Sequence, residues 1–259
     1  MLKEIFTANI IVTVAVVLIY LIRVFYTWDD ELRKVDNMPI QNPKKLTGDI
    51  VKMKIYVINL DKRIDRKRHI TKLLDNLGFI NYEFVIPIPI EEATRDPLMK
   101  GSILSPAKMS NTLTFFKIFR EAKEAEFIIM EDDINLYRDN ISIEDVYNSA
   151  KGLNWDLLYM EFCFEDCTNV KKVNPYLYKL IRPICTGFVI YKKESGYKII
   201  ENYKNNKRAK DRYFADLNGK HIINSYGYPL FKQDPALGSD LKGSYKYGKG
   251  DIITPLCKF

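Results

Sequence analysis

The chain has 259 residues, of which 47% are hydrophobic and 28% charged, with 12 Gly and 11 Pro. This length and composition exclude a disulfide-stapled mini-protein and a disordered or collagen-like chain, and they favour an ordered, enzyme-sized domain. The 40 Lys and Arg outnumber the 33 Asp and Glu, and the net charge of +7 suits an acidic partner such as a nucleotide or an anionic lipid. Because acidic residues alternate with the basic ones, we expect no nucleic-acid partner.

The N-terminus is strongly apolar. Residues 5–22 read IFTANIIVTVAVVLIYLI, close to the roughly 20 apolar residues that a transmembrane helix needs. Tyr26 and Trp28 supply interfacial aromatic rings, and no small-residue cleavage site follows. We therefore predict a membrane anchor over residues 1–26 and a single-pass membrane protein. A buried amphipathic helix is the alternative, which the apolar character of all faces disfavours.

Residues 27–52 combine charges, Pro39, Pro43 and Gly48 without sustained periodicity, which is typical of a linker. We interpret them as a stem and residues 53–259 as one globular domain.

The cysteines are Cys163, Cys167, Cys185 and Cys257. They form no CxxC pair, and no nearby His completes a zinc site. We expect unpaired structural thiols, with a Cys163–Cys167 disulfide as the alternative in an oxidising compartment.

Within the domain, strands and helices are predicted to alternate. The apolar run 54–60 predicts a buried strand, and the i, i+3, i+4, i+7 spacing of Ile70, Leu73, Leu74 and Leu77 predicts a helix that Gly78 ends. This alternation indicates an α/β sheet, in which ligands bind at the carboxyl ends of the strands. Further strands are predicted at 82–87, 127–130, 156–160 and 187–191, and further helices at 111–125, 193–203 and 208–218.

Three carboxylates, Glu131, Asp132 and Asp133, directly follow the predicted strand 127–130. Adjacent like charges in a cleft repel one another, and a divalent cation is the simplest way to neutralise them. Mg²⁺ and Mn²⁺ take one or two carboxylates and complete their shell with water and phosphate oxygens. We predict Asp133 as the direct ligand and Asp132 as the second, with Glu131 beside them. A solvated acidic turn or a helix N-cap is the alternative.

Residues 61–68 read DKRIDRKR and place a basic cluster in a turn and first helical segment. Helix N-termini also favour anions through their free N–H groups and dipole. We predict that Arg63 and Arg66 bind a diphosphate, and that most of the other basic residues form a solvated helix face.

Several segments, in this order, resemble glycosyltransferase family 25, which includes lipooligosaccharide and procollagen galactosyltransferases. IYVINLDKRIDRKRHI resembles the opening motif, and SNTLTFFKIFREA with FIIMEDDI resembles the helix, strand and EDD motif that follow. CTGFVIYKKESGYKII and AKDRYFADL with YGYPLFKQD resemble the later motifs. The resemblance covers about residues 54–235. It implies a GT-A-like single domain that moves a hexose, galactose above all, from a UDP-sugar to a glycan or protein hydroxyl with inversion, using Mn²⁺ or Mg²⁺.

The resemblance also suggests roles for individual residues. Inversion in one displacement needs a general base, for which Asp211 is the first candidate and Glu161 the second. Thr186 and Gly187 would let the donor sugar approach the backbone. Asn59 and Asp61, in the opening motif, are expected to contact the nucleotide.

One residue departs from the family pattern. Asn111 stands where the family usually has His after Ser110, and an amide keeps hydrogen-bonding capacity but cannot titrate. A catalytically inactive binding or structural protein with the same fold is therefore the alternative function. Residues 161–182 have no clear counterpart, and we expect the acceptor to be recognised there.

Overall fold

The computed structural model describes residues 45–162, 170–203 and 208–238, and Val17. The chain separates into two compact units, Met1–Gln41 and Asn42–Phe259. Apart from Val17, the predicted anchor and most of the predicted stem lie outside the described residues. None of the helices described is long and apolar enough to span a bilayer.

The second unit alternates short strands with helices. Its helices are α1 (Ile64–Leu77), α2 (Ile90–Arg95), α3 (Pro106–Glu121), α4 (Ile143–Ala150), α5 (Lys193–Tyr203) and α6 (Lys210–Gly219), with 3-10 turns at Asp49–Lys52, Pro97–Met99 and Pro235–Leu237. Its strands are β1 (Ile55–Ile58), β2 (Tyr82–Val85), β3 (Glu126–Glu131), β4 (Ile134–Leu136), β5 (Leu157–Tyr159), β6 (Lys171–Asn174), β7 (Leu177–Leu180), β8 (Phe188–Lys192), β9 (Ser225–Gly227) and β10 (Phe231–Gln233).

Eight of these strands form one mixed sheet in the order β2-β1-β3-β8-β5-β9-β7-β6. β1 pairs in parallel with β2 and β3, whereas β8 runs antiparallel to both of its neighbours, β3 and β5. Only β7 and β8 oppose the common direction, so the sheet is mostly parallel. β4 and β10 form a separate antiparallel pair. The predicted α/β class is confirmed.

Burial explains the local structure of the first β–α unit. All four residues of β1 are buried, as expected for a parallel strand covered on both faces. In α1, Ile70, Leu73, Leu74 and Leu77 are buried, and Gly78 ends the helix at φ 89°, a left-handed conformation that glycine adopts without a steric penalty.

An aromatic cluster fills the space between α3 and the sheet. Phe119 packs with its ring centroid 5.1 Å from that of Tyr191, and Phe127 stacks on the same tyrosine at 6.1 Å. Phe115 and Phe214 complete the cluster, and all five rings are fully buried. This apolar layer lies behind the strand ends that carry the polar residues described below.

Several elements differ from their predicted bounds. The helix predicted at 111–125 begins at Pro106, because proline is well suited to the first helical position, where its missing N–H is not needed. The sequence did not predict α2, α4, the short strands β4, β9 and β10, or the β6–β7 hairpin. Residues 45–52 pack on the domain: Leu46 N–H donates to Leu77 O at 2.9 Å, and Ile50 is 2% exposed.

Candidate functional site

The acidic triplet lies where two parallel strands end side by side. Ile58, the last residue of β1, is in register with Glu131, the last residue of β3. The next residues of both strands therefore meet at the same sheet edge, and Asn59 Nδ2 donates a 2.6 Å hydrogen bond to Asp132 Oδ2. Both side chains are buried, at 4% and 5% exposure. The two motifs predicted at the strand ends are thus in direct contact.

Both carboxylate oxygens of Asp132 accept hydrogen bonds. Oδ2 accepts from Asn59, and Oδ1 accepts from Arg66 Nη1 at 2.7 Å. Arg66 reaches it from α1 and is itself 5% exposed. Charge-assisted hydrogen bonds between buried partners are among the strong ones. Asp132 therefore fixes Arg66 at the sheet edge, and its role as a second metal ligand stays a prediction.

Arg63 and Arg66 also bind the backbone of the last described segment. Arg63 Nη2 donates to Leu237 O at 2.7 Å, and Arg66 Nη2 donates to Gly238 O at 2.6 Å. Arg63 further pairs with Asp65 at 2.8 Å. The arginines predicted to bind a diphosphate thus lie at the site but are also bound by protein acceptors. Asp61 is exposed in the turn after β1.

Asp133 is the member of the triplet with an unsatisfied oxygen. Its Oδ1 is buried without a hydrogen-bond partner among the described residues, and its Oδ2 lies 3.4 Å from Arg66 Nη1. Burial, followed by the charge of Glu131, raises the pKa of Asp133 to about 7, although Arg66 opposes this rise. A buried acceptor without a partner is costly, so Asp133 is suited to receive a cation or a donor group from a ligand.

Glu131 points toward a buried cation that the sequence reading missed. Lys210 Nζ donates to Glu131 Oε1 at 2.8 Å and to Asp211 Oδ1 at 2.7 Å, and it also contacts Thr186 Oγ1. Lys210 is 3% exposed. Burial alone would lower the pKa of Lys210, but the carboxylates of Asp211 and Glu131 outweigh it and raise that pKa. The ammonium group therefore stays charged and links Asp211 to the triplet.

Glu161 lies just after β5 and is buried. It is 1% exposed, its Oε2 accepts from Gly187 N–H at 2.7 Å, and its Oε1 is buried without a partner in the described chain. Burial raises the pKa of Glu161 well above its usual value. A Cβ at residue 187 would approach Ile134 Cγ2 to 2.6 Å and Glu161 Oε2 to 2.9 Å, so only glycine fits there.

A cleft of about 300 Å³ opens in front of the triplet. Its charged lining residues are Lys62, Arg66 and the triplet, and the other residues that line it are mainly apolar. The lining does not include Asn59, Arg63, Glu161, Thr186 or Asp211. The lining is completed by Ile58, Leu60, Pro87, Ile88, Pro89, Ile90, Ala107, Ser110, Asn111 and Gln233.

The fit of this site to a divalent cation depends on Asp133. In the part of the chain described, no three His, Cys, Asp or Glu side chains are arranged to hold a metal ion. Mg²⁺ and Mn²⁺ nevertheless need only one or two carboxylates when phosphate oxygens complete their shell. The unsatisfied Asp133 Oδ1 fits that pattern, whereas Glu131 is already paired with Lys210.

Cys185 corrects one sequence-based expectation. It takes part in a disulfide bond, and so the prediction of an unpaired thiol is wrong for this residue. Its φ of 70° is unusual for a residue other than glycine. The alternative Cys163–Cys167 bridge lies outside the described residues. Thr186 and Gly187, which contact Lys210 and Glu161, follow Cys185 directly in the chain.

Comparisons with known proteins find similarity in structure only. No protein-family profile and no curated protein sequence matches the chain. Similar solved structures include a glycosyltransferase involved in glycosylation of the major capsid of PBCV-1, at 12% identity and a TM-score of 0.41 over 68% of this chain and 81% of that one. The inositol-1-phosphate CTP transferase from T. maritima matches at 10% identity and a TM-score of 0.41, over 72% and 91% of the two chains. HddC from Yersinia pseudotuberculosis matches at 15% identity and a TM-score of 0.36, over 70% of this chain and 72% of that one. These identities and scores are too low to carry an argument about function, which we base on the site.

Proposed function

We propose that this protein is a glycosyltransferase with a GT-A-like fold that uses a nucleotide-diphospho-sugar. The observation that carries the proposal is the cleft in which the carboxylate triplet, Arg66 and apolar residues meet at the carboxyl ends of β1 and β3. Open α/β sheets bind ligands at this edge. A nucleotide sugar has the matching parts, because it joins a flat base to an anionic diphosphate. Membership of glycosyltransferase family 25 rests on the motifs of the sequence.

The donor is a UDP-hexose, of which UDP-galactose is our first choice. Arg66 and Lys62, which both line the cleft, would bind the diphosphate and stabilise the negative charge that develops as UDP leaves. Asp133 would hold Mn²⁺ or Mg²⁺ through its unsatisfied oxygen, with Asp132 and Glu131 close by. The cation, when bound, supplies further neutralisation of the leaving diphosphate.

Asp211 is the better of the two candidates for the general base. A base must reach the acceptor hydroxyl and be ionised at the working pH. The Asp211 side chain is 35% exposed and its Oδ1 is oriented by Lys210. Glu161 is 1% exposed, and burial raises its pKa well above the usual value, which disfavours the ionised form that a base needs. Asp211 would therefore take the acceptor proton, and Glu161 would position Gly187.

The proposal also includes the acceptor and the location in the cell. A hydroxyl of a glycan or a glycoprotein is the acceptor that an inverting hexosyltransferase requires. The apolar N-terminal segment would hold the enzyme at a membrane as a single-pass protein. The disulfide at Cys185 is compatible with a domain that folds in an oxidising compartment.

The test is a donor panel assayed with the purified full chain in detergent. We expect release of UDP from UDP-galactose or another UDP-hexose, stimulated by Mn²⁺ and by an added hydroxyl acceptor. If nucleotide sugars bind but none is hydrolysed or transferred, the alternative of an inactive binding protein replaces the proposed activity. If none binds, the nucleotide-sugar assignment itself is wrong.

A further inference from the structure

Asn111 places an unsatisfied polar group in the cleft. It belongs to the second turn of α3 and lines the cleft with Ser110 and Ala107. Its Oδ1 is buried and has no hydrogen-bond partner among the described residues. A buried amide oxygen without a donor typically costs about 1–3 kcal/mol. Because Asn111 also lines the cleft, a ligand bound there is a group that can satisfy this oxygen.

Residues 87–89, which line the same cleft as Asn111, are poor in hydrogen-bond donors. Ser110 Oγ donates to Ile88 O at 2.5 Å, and Ile88 N–H donates to Thr114 Oγ1 at 3.0 Å, so two α3 side chains hold both backbone groups of Ile88. Pro87 and Pro89 on either side have no N–H at all. These three residues therefore offer apolar rings and aliphatic surface, with no spare backbone N–H of their own, to a flat group in the cleft.

The cleft is lined by two kinds of group. Arg66 and the acidic triplet suit a diphosphate and its cation, and the remaining lining residues are mainly apolar, with the amides of Asn111 and Gln233 among them. A ligand that contacts both kinds must join an anionic group to a flat ring whose edge carries an N–H. A sugar acceptor does not meet this description, because it is neither flat nor anionic.

We propose that Asn111 recognises the pyrimidine base of the donor nucleotide, with Oδ1 accepting the N3–H of uracil and Nδ2 donating to a neighbouring ring carbonyl. This inference rests on the proposed function and names the residue that reads the base. The amide supplies one acceptor beside one donor, which matches the alternating carbonyl and N–H groups of the uracil edge. The unsatisfied oxygen of the free protein is then satisfied only when nucleotide is bound.

The test combines a change in the protein with a change in the ligand. UDP and N3-methyl-UDP, which lacks the N–H, are titrated by calorimetry into the wild-type full chain in detergent and into Asn111→Leu. Thr112→Val is the matched control, because Thr112 lies next to Asn111 in α3 but bonds only to Lys108 O within the helix. Thermal melts establish that each variant is folded.

We expect N3-methylation to weaken binding to the wild type by about 10- to 100-fold, as the loss of one buried hydrogen bond predicts. Asn111→Leu should weaken UDP binding by at least this factor, because it removes both proposed hydrogen bonds, and should no longer distinguish UDP from N3-methyl-UDP. Thr112→Val should bind both ligands as the wild type does. The double change isolates the contact between Oδ1 and N3–H, since N3-methylation removes that hydrogen bond and has nothing left to remove in Asn111→Leu.

Two results would overturn the inference while leaving the proposed function intact. One is UDP affinity in Asn111→Leu equal to that of the wild type, with a raised acceptor KM, which would move Asn111 to the acceptor site. The other is a penalty for N3-methylation that persists in Asn111→Leu. Failure of the proposed function looks different, because no variant would then bind UDP or turn over a UDP-sugar.

Discussion

Lys210 Nζ lies 2.8 Å from Glu131 Oε1, and this buried ion pair joins α6 to the end of β3. The same ammonium group bonds to Asp211 at 2.7 Å and lies 4.3 Å from the centre of the Phe115 ring. Two carboxylates and an aromatic face therefore surround one cation. The protein itself supplies part of the positive charge that a carboxylate-rich site needs, and it uses that charge to hold the proposed base in place.

Removing the ammonium group of Lys210 should destabilise the fold. In Lys210→Met, Glu131 and Asp211 lose their shared partner, and breaking a buried ion pair typically costs about 3–5 kcal/mol. Urea unfolding measures the change in free energy of unfolding. Arg208→Met is the control, since Arg208 pairs with Asp216 from a side chain that is 58% exposed, and such pairs contribute about 1 kcal/mol or less. If both variants lost the same free energy of unfolding, Lys210 would not be a buried structural cation.

The general base is tested by a pair of matched substitutions. Asp211→Asn keeps the shape of the side chain but cannot take a proton, so we expect turnover to fall by at least about 100-fold with UDP affinity nearly unchanged. Glu161→Gln keeps an oxygen for Gly187 N–H and should cost much less. Steady-state kinetics and UDP titrations provide the readout. If Glu161→Gln abolished turnover and Asp211→Asn did not, the base would be Glu161.

Asp133 should make the folded state less stable as pH rises. Its pKa is raised from 3.8 to about 7, so between these values the folded protein binds more protons than the unfolded chain, and stability falls with increasing pH. Asp133→Asn removes this penalty. We expect the free energy of unfolding of the variant to exceed that of the wild type by at most about 4 kcal/mol above pH 7. Near pH 4 the two free energies should be equal. Denaturant unfolding across this pH range measures the difference, and a gap that is the same at every pH would contradict the proposed cause.

The N-terminal limit of the folded domain can be tested by truncation. Leu46 and Ile50 are 6% and 2% exposed, although they fall within the predicted stem. Burial of two aliphatic side chains contributes about 3–6 kcal/mol in total, so a fragment of residues 42–259 should unfold at clearly higher urea than a fragment of residues 53–259. Identical midpoints would place the start of the domain at residue 53.

The same fragments also test the predicted membrane anchor. Aggregation of both fragments, with a full chain soluble without detergent, would argue against the anchor.

The spacing of apolar residues along the sequence predicted the strands and helices that bury one regular face or run. The apolar runs of β1 and β3 and the spacing of Leu73 and Leu77 in α1 were sufficient to place these elements, because burial on a strand or helix face has a fixed period. The same patterns placed Asn59 and the acidic triplet at one sheet edge. The predicted start of α3 was wrong by five residues, because proline suits the first helical position and the helix begins at Pro106.

The rest of the site depends on contacts between distant parts of the chain. Lys210 and Glu131 are 79 residues apart, and Arg66 and Gly238 are 172 apart. Periodicity and spacing carry no information about which residues meet at such separations. The one local signal for Lys210 is its position directly before Asp211. The signal for Asn111 was its departure from the family pattern, whereas its unsatisfied oxygen could be found only in the structure.

The most direct test of the account is the titration of UDP into the full chain in Mn²⁺ and in excess chelator, for the wild type and for Asp133→Asn. Binding of the diphosphate at the carboxylate cleft predicts measurable affinity for the wild type in Mn²⁺, and a large loss of affinity both in chelator and in Asp133→Asn. Glu144→Gln, a change at a half-buried acid of α4 that does not line the cleft, should leave the affinity unchanged. Equal affinity of the wild type in Mn²⁺ and in chelator, with no loss in Asp133→Asn, would contradict the account.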